Sequence, residues 1–207
     1  MSNLLVLNSS ASGEASVSNL LVQEAVNQIV DGNLATHVVR RDLDLDPLPH
    51  LTSRTAAGVR AEPATPAERE SRALSDALVA ELQAADLIVI GAPMYNFSLP
   101  TTLRAWFDHV LRPGVTFGYS EAGPKGLVTG KRVLVVEARG GLYSEGPAQA
   151  ADFQEPYLRQ LLGFIGLTDV TFVRAEKIGF GPDARAEAIA KARVEIARFA
   201  QPQAIAA

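Results

Sequence analysis

The chain has 207 residues, of which 47% are hydrophobic and 20% charged, a length and composition that suit one domain spanning 1–207 with a core built without disulfides or metals. A formal net charge of −4 leaves no electrostatic footprint for nucleic acid or an acidic membrane. With no cysteine, thiolate metal sites, iron–sulfur clusters and cysteine nucleophiles are excluded, so any redox chemistry comes from a bound cofactor.

The opening MSNLLVLNSS has no basic n-region, and no run of about 18 apolar residues follows anywhere, so a cytoplasmic location is expected. Residues 4–7 form the first short apolar run and are read as a strand. The loop after it, NSSASGEASVS, carries Ser9, Ser10, Ser12, Ser16 and Ser18 and leads into a helix whose apolar positions include Val22, Ala25, Val26 and Ile29. Hydroxyls and free amides at the positive end of a helix dipole favour a phosphate. A single serine there usually only caps the helix, but five favour the phosphate. The loop has no lysine or arginine, so the charge is met by the helix dipole alone or by a cation from elsewhere.

Asp31-Gly32 ends that helix, and residues 35–39 are the second strand candidate. Val39-Arg40-Arg41 is taken as its end, with no acidic residue there. That absence, and the lack of G-x-G-x-x-G and G-x-x-x-x-G-K-[ST], disfavours a dinucleotide-binding Rossmann site and a P-loop. Residues 42–64 read as a long loop. Its DLDLD imitates a calcium loop, but Pro47 replaces the required glycine and Ser53 the bidentate glutamate. Thr65-Pro66-Ala67-Glu68 is a capping box with proline at the first helical position, opening a helix to about residue 85.

Residues 87–90 are the third strand, followed by Met94, Tyr95, Asn96 and Phe97. Pro93 and Pro100 are expected to hold this stretch extended, with amide and aromatic surface offered to a planar heterocycle. Residues 113–130 read as a second long loop. Residues 133–136 are the fourth strand, followed by Ala138, Arg139, Gly140 and Gly141, where backbone can approach a ligand closely. Residues 170–173 are the fifth strand, and Ile189, Ala192, Ile196 and Phe199 mark the last helix. Strand and helix alternate throughout, which predicts an α/β doubly wound parallel sheet with ligands at the carboxyl ends of its strands. His37, His50 and His109 are far apart, so a hydrolytic triad or metal site is not expected.

In this order the motifs resemble those of the flavodoxin-like, FMN-dependent NADH:quinone oxidoreductases, also called azoreductases. They are S-x(5)-S-x-S at Ser10, Ser16 and Ser18, the stretch from Pro93 to Trp106, GVTF at 114–117, RGG at 139–141, and GLTDV with AEKIGFGP over 166–182. The resemblance spans nearly the whole chain. It implies a flavodoxin-like five-stranded parallel sheet with helices on both faces. Ser10, Ser16, Val17 and Ser18 would hold the FMN phosphate, Met94 to Phe97 the ring, and Ala138, Arg139, Gly140 and Gly141 its other polar edge.

The resemblance also implies NADH or NADPH as donor, a quinone or azo compound as acceptor, and a homodimer in which Tyr119 and Phe164 cover the flavin. Tyr95 and Tyr143 are candidate donors to substrate, with the flavin N5 carrying the hydride. Two departures stand out: many relatives have serine where this chain has Ala138, and a basic residue often follows the serine loop where Asn19 stands. The alternative is a flavin-binding electron carrier or redox regulator without turnover of its own.

Overall fold

A computed structural model describes residues 2–121 and 123–201. Five strands form one parallel sheet: β1 (Asn3–Asn8), β2 (His37–Asp42), β3 (Leu87–Pro93), β6 (Arg132–Ala138) and β7 (Asp169–Ala175). Their order is β2-β1-β3-β6-β7. Two more strands, β4 (Phe117–Ser120) and β5 (Gly123–Gly126), pair as a separate antiparallel hairpin.

The apolar runs are strands because both sheet faces are covered. Leu5, Leu7, Ile88, Ile90, Val133 and Val135 face a core shared with α3 (Pro66–Ala84), α4 (Thr101–Val110) and α5 (Glu155–Ile165). The alternate residues Leu4, Val6, Val89, Leu134 and Val136 face α1 (Val17–Asp31) and α6 (Pro182–Phe199). The chain leaves β1 toward β2 on one side and reaches β3 on the other. The crevice between the ends of β1 and β3 is therefore the switch point at which this architecture admits ligands.

The capping box is present on α3: Thr65 Oγ1 accepts from the Glu68 amide at 3.3 Å, and Glu68 Oε2 accepts from the Thr65 amide at 2.9 Å. Gly32 caps α1 at its C-terminus. Three sequence expectations change. The second strand is shifted to 37–42, because an edge strand with one neighbour tolerates Arg40 and Arg41; Arg41 pairs with Glu81 of α3 at 2.6 Å.

That shift places an acidic residue, Asp42, at the strand end after all. Its carboxylate accepts from the Asp44 and Leu45 amides at 3.0 and 3.2 Å, so it closes its own turn. The two stretches expected as loops hold regular structure: 42–64 contains the short α2 (Ala56–Arg60), and 113–130 contains the β4–β5 hairpin. The hairpin docks on the C-terminal end of α5, where an added Cβ on Gly126 would stand 2.1 Å from the Gly166 nitrogen. Gly166 itself adopts the left-handed conformation, φ 101°.

Among the described residues no helix is long and apolar enough to cross a membrane. His109 is a core residue whose Nε2 donates to the Pro49 carbonyl at 2.9 Å.

Candidate cofactor site at the strand ends

The first loop is tied down before it reaches the helix. Ser9, buried, donates to the Gly91 carbonyl at 2.6 Å, fixing the loop to the end of β3. A single 3-10 turn at Gly13–Ala15 then delivers Ser16 as the N-cap of α1, its hydroxyl accepting from the Asn19 amide at 3.1 Å. Ser16 and Ser18 hydroxyls lie 3.1 Å apart. The amides of Val17 and Ser18 open the helix without intrahelical acceptors. Ser10, Ser16 and Ser18 are buried, yet all three line one small cavity of about 200 Å3.

Pro93, Met94 and Tyr95 form another wall of that cavity, and Ala138, Gly140 and Ile178 a third. Between Tyr95 and Ser98 the chain does not stay extended as expected. The two residues exchange backbone hydrogen bonds at 3.0 and 3.1 Å, and Asn96 and Phe97 both take positive φ, 48° and 71°. Two left-handed central residues are what a type I′ turn requires; Asn tolerates this, whereas Phe does so at some cost in strain. The turn leaves Phe97 half exposed, edge-on to Tyr143 at 6.2 Å.

The Tyr95 hydroxyl, expected as a donor to substrate, is engaged by the first loop instead. It accepts from the Ala11 amide at 3.0 Å and lies 3.3 Å from both Ser10 and Ser12 hydroxyls. It is a strut between the serine loop and the turn. Tyr95→Phe should therefore weaken flavin binding threefold to tenfold, on the order of 1 kcal/mol, in a fluorescence titration of the apo protein.

Arg139 does not itself line the cavity; its backbone lies at the strand end between Ala138 and Gly140, which do. Its amide donates to the Ala175 carbonyl at 2.8 Å, and the Lys177, Ile178 and Gly179 amides donate back to Gly141, Arg139 and Gly140. The guanidinium turns into the protein and is fully buried. There it meets Glu137 at 2.6 Å, Asp152 at 3.0 Å, Glu176 at 3.3 Å and Glu155 at 3.6 Å, and donates to Gln154 at 3.0 Å. Gln154 in turn donates to the Ala92 carbonyl at 2.9 Å, and Glu176 accepts from the Tyr143 and Ser144 amides. One buried ionic network thus joins the ends of β3 and β6 to the turn after RGG.

Carboxylates outnumber their cations in this network, with Arg174 and Arg159 both bonded to Glu155 and Arg174 reaching Glu137 only at 4.0 Å. Burial, only partly opposed by Arg139, pushes Glu137 up to about 8, while Arg174 and Arg159 outweigh burial and hold Glu155 down to about 2. The signs differ. Glu137 keeps in the folded state a proton that the unfolded chain releases near 4.5, so its contribution is complete below 4.5 and is lost as pH rises toward about 8. Glu155 contributes above 4.5 and loses that as pH falls toward about 2. Glu137→Gln should flatten the fall in unfolding free energy between these limits, by at most about 1.4 kcal/mol per pH unit, the slope for one proton. Urea melts across that range check it.

The donor set fits a flavin mononucleotide. The corner at α1 offers hydroxyls and unengaged amides suited to a phosphate. The amides of Asn96, Phe97, Gly140 and Gly141 make none of the described backbone hydrogen bonds, so two loops present free donors at the strand ends. An added Cβ on Gly140 would meet nothing within 4 Å, leaving open space for a ring. Gly141 is different: a Cβ there would stand 3.0 Å from the Tyr143 ring.

Tyr119 and Phe164 do not line this cavity. Within the chain they flank Phe117, at 5.8 and 4.5 Å between ring centroids, on the hairpin at the far end of α5. Tyr119 is 77% exposed. Arg185, which no motif marked, does line the cavity. Its signal in the sequence was only that the loop lacked a cation. Among the described residues no group of three or more histidine or acidic side chains is arranged to hold a metal ion.

Residues 2–200 match a family described as having the flavodoxin-like fold. The chain is 66% identical to an FMN-dependent NADH:quinone oxidoreductase of Hyphomonas neptunium over 97% of each chain. It is 50% identical to one of Ralstonia nicotianae, over 90% of this chain and 91% of the other. Among solved structures, an azoreductase from Bacillus anthracis superposes with a TM-score of 0.88 at 29% identity, covering 97% of this chain and 99% of that one. The chain belongs to the flavodoxin-like fold family and, within it, to the FMN-dependent NADH:quinone oxidoreductases, or azoreductases.

Proposed function

We propose that this enzyme reduces quinones and azo compounds with electrons from NADH or NADPH, through FMN bound where β1 and β3 diverge. The observation that supports the reading best is the convergence of the buried serine hydroxyls, the N-terminus of α1 and the backbone of two glycine- and turn-rich loops on one cavity. When bound, FMN would supply hydride transfer at N5, and a site serving donor and acceptor in turn would run a ping-pong cycle.

The chain's own residues hold and orient. Ser10, Ser16, Val17 and Ser18 grip the phosphate. Met94, Tyr95, Asn96 and Phe97 wall the ring, and the backbone of Ala138, Arg139, Gly140 and Gly141 meets its other polar edge. The Gly140 and Gly141 amides, which make none of the described backbone hydrogen bonds and sit in a turn fixed by the bonds to 175–179, would stabilise negative charge on the ring as oriented dipoles do, with no reorganisation. Tyr143 stands beside Gly141 and Phe97, where its hydroxyl can donate a proton to the reduced acceptor. The half-exposed Phe97 and the exposed Phe153 suit a homodimer in which Tyr119, and Phe164 of a second copy, cover the flavin. We place the enzyme in the cytoplasm.

Purified protein should carry about one FMN per chain, bleach at once on anaerobic addition of NADH, and give parallel double-reciprocal lines with a benzoquinone. A colourless protein that takes up no added FMN sinks the reading. Bleaching only with an added reductase supports a carrier instead.

A further inference from the structure

The phosphate corner lacks charge of the right sign within its own loop. Residues 8–18 contain no lysine or arginine, and the one ionisable side chain there, Glu14, is negative. Hydroxyls and a helix N-terminus alone would have to hold a phosphate dianion, since the helix end is equivalent to only about half a charge. The fold brings a cation from 170 residues away: an Arg185 guanidinium nitrogen donates to the Ala15 carbonyl at 3.3 Å. Among the described residues it is the only cationic side chain lining the cavity that also holds Ser12, Ser16 and Ser18.

Arg185 stands there for definite reasons. The Gly179 amide donates to the Gly140 carbonyl at 3.0 Å, and an added Cβ on Gly179 would lie 3.1 Å from the same oxygen, so the segment before α6 runs directly against the RGG turn. Gly181, at φ 111°, then starts α6, and Arg185 follows in its first turn, its amide donating to the Gly181 carbonyl at 3.0 Å. A cation in the first turn opposes the helix dipole, so this position gains nothing for α6 itself. None of the ion pairs among the described residues includes Arg185. Among the described residues it is a half-buried cation in no ion pair with a carboxylate, lining the cavity with the serines.

We propose that Arg185 is the counter-ion of the FMN phosphate, bridging the Ala15 carbonyl and the phosphate and so selecting phosphorylated flavin over riboflavin. The proposal rests on the FMN reading of this same cavity. A guanidinium can give two parallel N–H donors to a phosphate while the α1 amides and serine hydroxyls take its other oxygens. In this chain the cation enters from α6 rather than from the residue after the serine loop, where Asn19 stands.

The test is a pair of titrations on the apo protein, FMN and riboflavin, followed by flavin fluorescence quenching at low and high salt. Arg185→Gln should weaken FMN binding about tenfold to thirtyfold and riboflavin binding less than about twofold, with an unchanged melting temperature of the apo protein. The salt dependence of FMN binding should shrink in the same variant. Arg185→Lys should fall between, since an ammonium keeps the charge and loses the fork. Unchanged FMN affinity in Arg185→Gln overturns the proposal. Equal weakening of both flavins also overturns it, because Arg185 then acts only by shaping the loop through Ala15. Wild-type protein that binds neither flavin overturns the FMN reading itself, a result distinct from equal wild-type and variant affinities for FMN.

Discussion

Arg139→Met should lower the unfolding free energy at pH 7 by about 3–5 kcal/mol, the range for removing one partner of a buried ion pair. The guanidinium is fully buried against Glu137, Asp152, Glu155 and Glu176, and methionine fills much of its volume without satisfying any of them. Glu155 keeps Arg174 and Arg159, so the loss falls on Glu137, Asp152 and Glu176. Because burial already favours a proton on Glu137, acid should soften the defect and alkali deepen it: the loss is greater at pH 9 than at pH 6. Arg139→Lys should recover little, since an ammonium cannot donate to Glu137, Asp152 and Gln154 in one plane. The single Trp106, fully buried against Phe107, reports unfolding in urea. A loss below about 1 kcal/mol, or one independent of pH, would contradict this account of the network.

Ser16→Asp should weaken FMN binding on the order of a thousandfold while leaving the fold intact. Aspartate caps a helix as well as serine does and is welcome at its positive end, so α1 should keep its start and the far-ultraviolet circular dichroism its amplitude. The same carboxylate would stand in the cavity that Ser10 and Ser18 share, a few ångströms from a phosphate. Like charges at about 4 Å repel by about 4 kcal/mol near a protein surface, which is the thousandfold. Riboflavin, lacking the phosphate, should lose far less. FMN affinity within tenfold of wild type would place the phosphate elsewhere.

Much of the scaffold was legible because it is set by local patterns. The strand centres read directly from apolar runs, since both faces of a parallel sheet are buried, and the α3 capping box and the Gly32 stop follow from neighbouring residues alone. Three candidate loops stand out because ligands gather at carboxyl strand ends in this architecture, and residues of all three line one cavity. Other features depended on contacts between distant residues. The β4–β5 hairpin is hidden in the sequence because FGYS and GPKG carry little strand signal; it exists because Gly126 fits against Gly166 and the Val128 amide donates to the Ile165 carbonyl. The second strand ran past its apolar residues to Asp42 because an edge strand needs only one hydrogen-bonded neighbour.

The site divides along the same line. Which loops follow the strand ends, and that the serine loop has no cation of its own, can be read along the chain, because residue type and position relative to strands and helices are local properties. That Tyr95 braces the serine loop, that the Arg139 side chain turns into a carboxylate cage while its backbone stays at the strand end, and that Arg185 arrives at Ala15 all follow from contacts made on folding. Side-chain direction and pairing between residues far apart in the chain are set by the packing of α5 and α6 on the sheet. No periodicity or spacing within one segment encodes that packing.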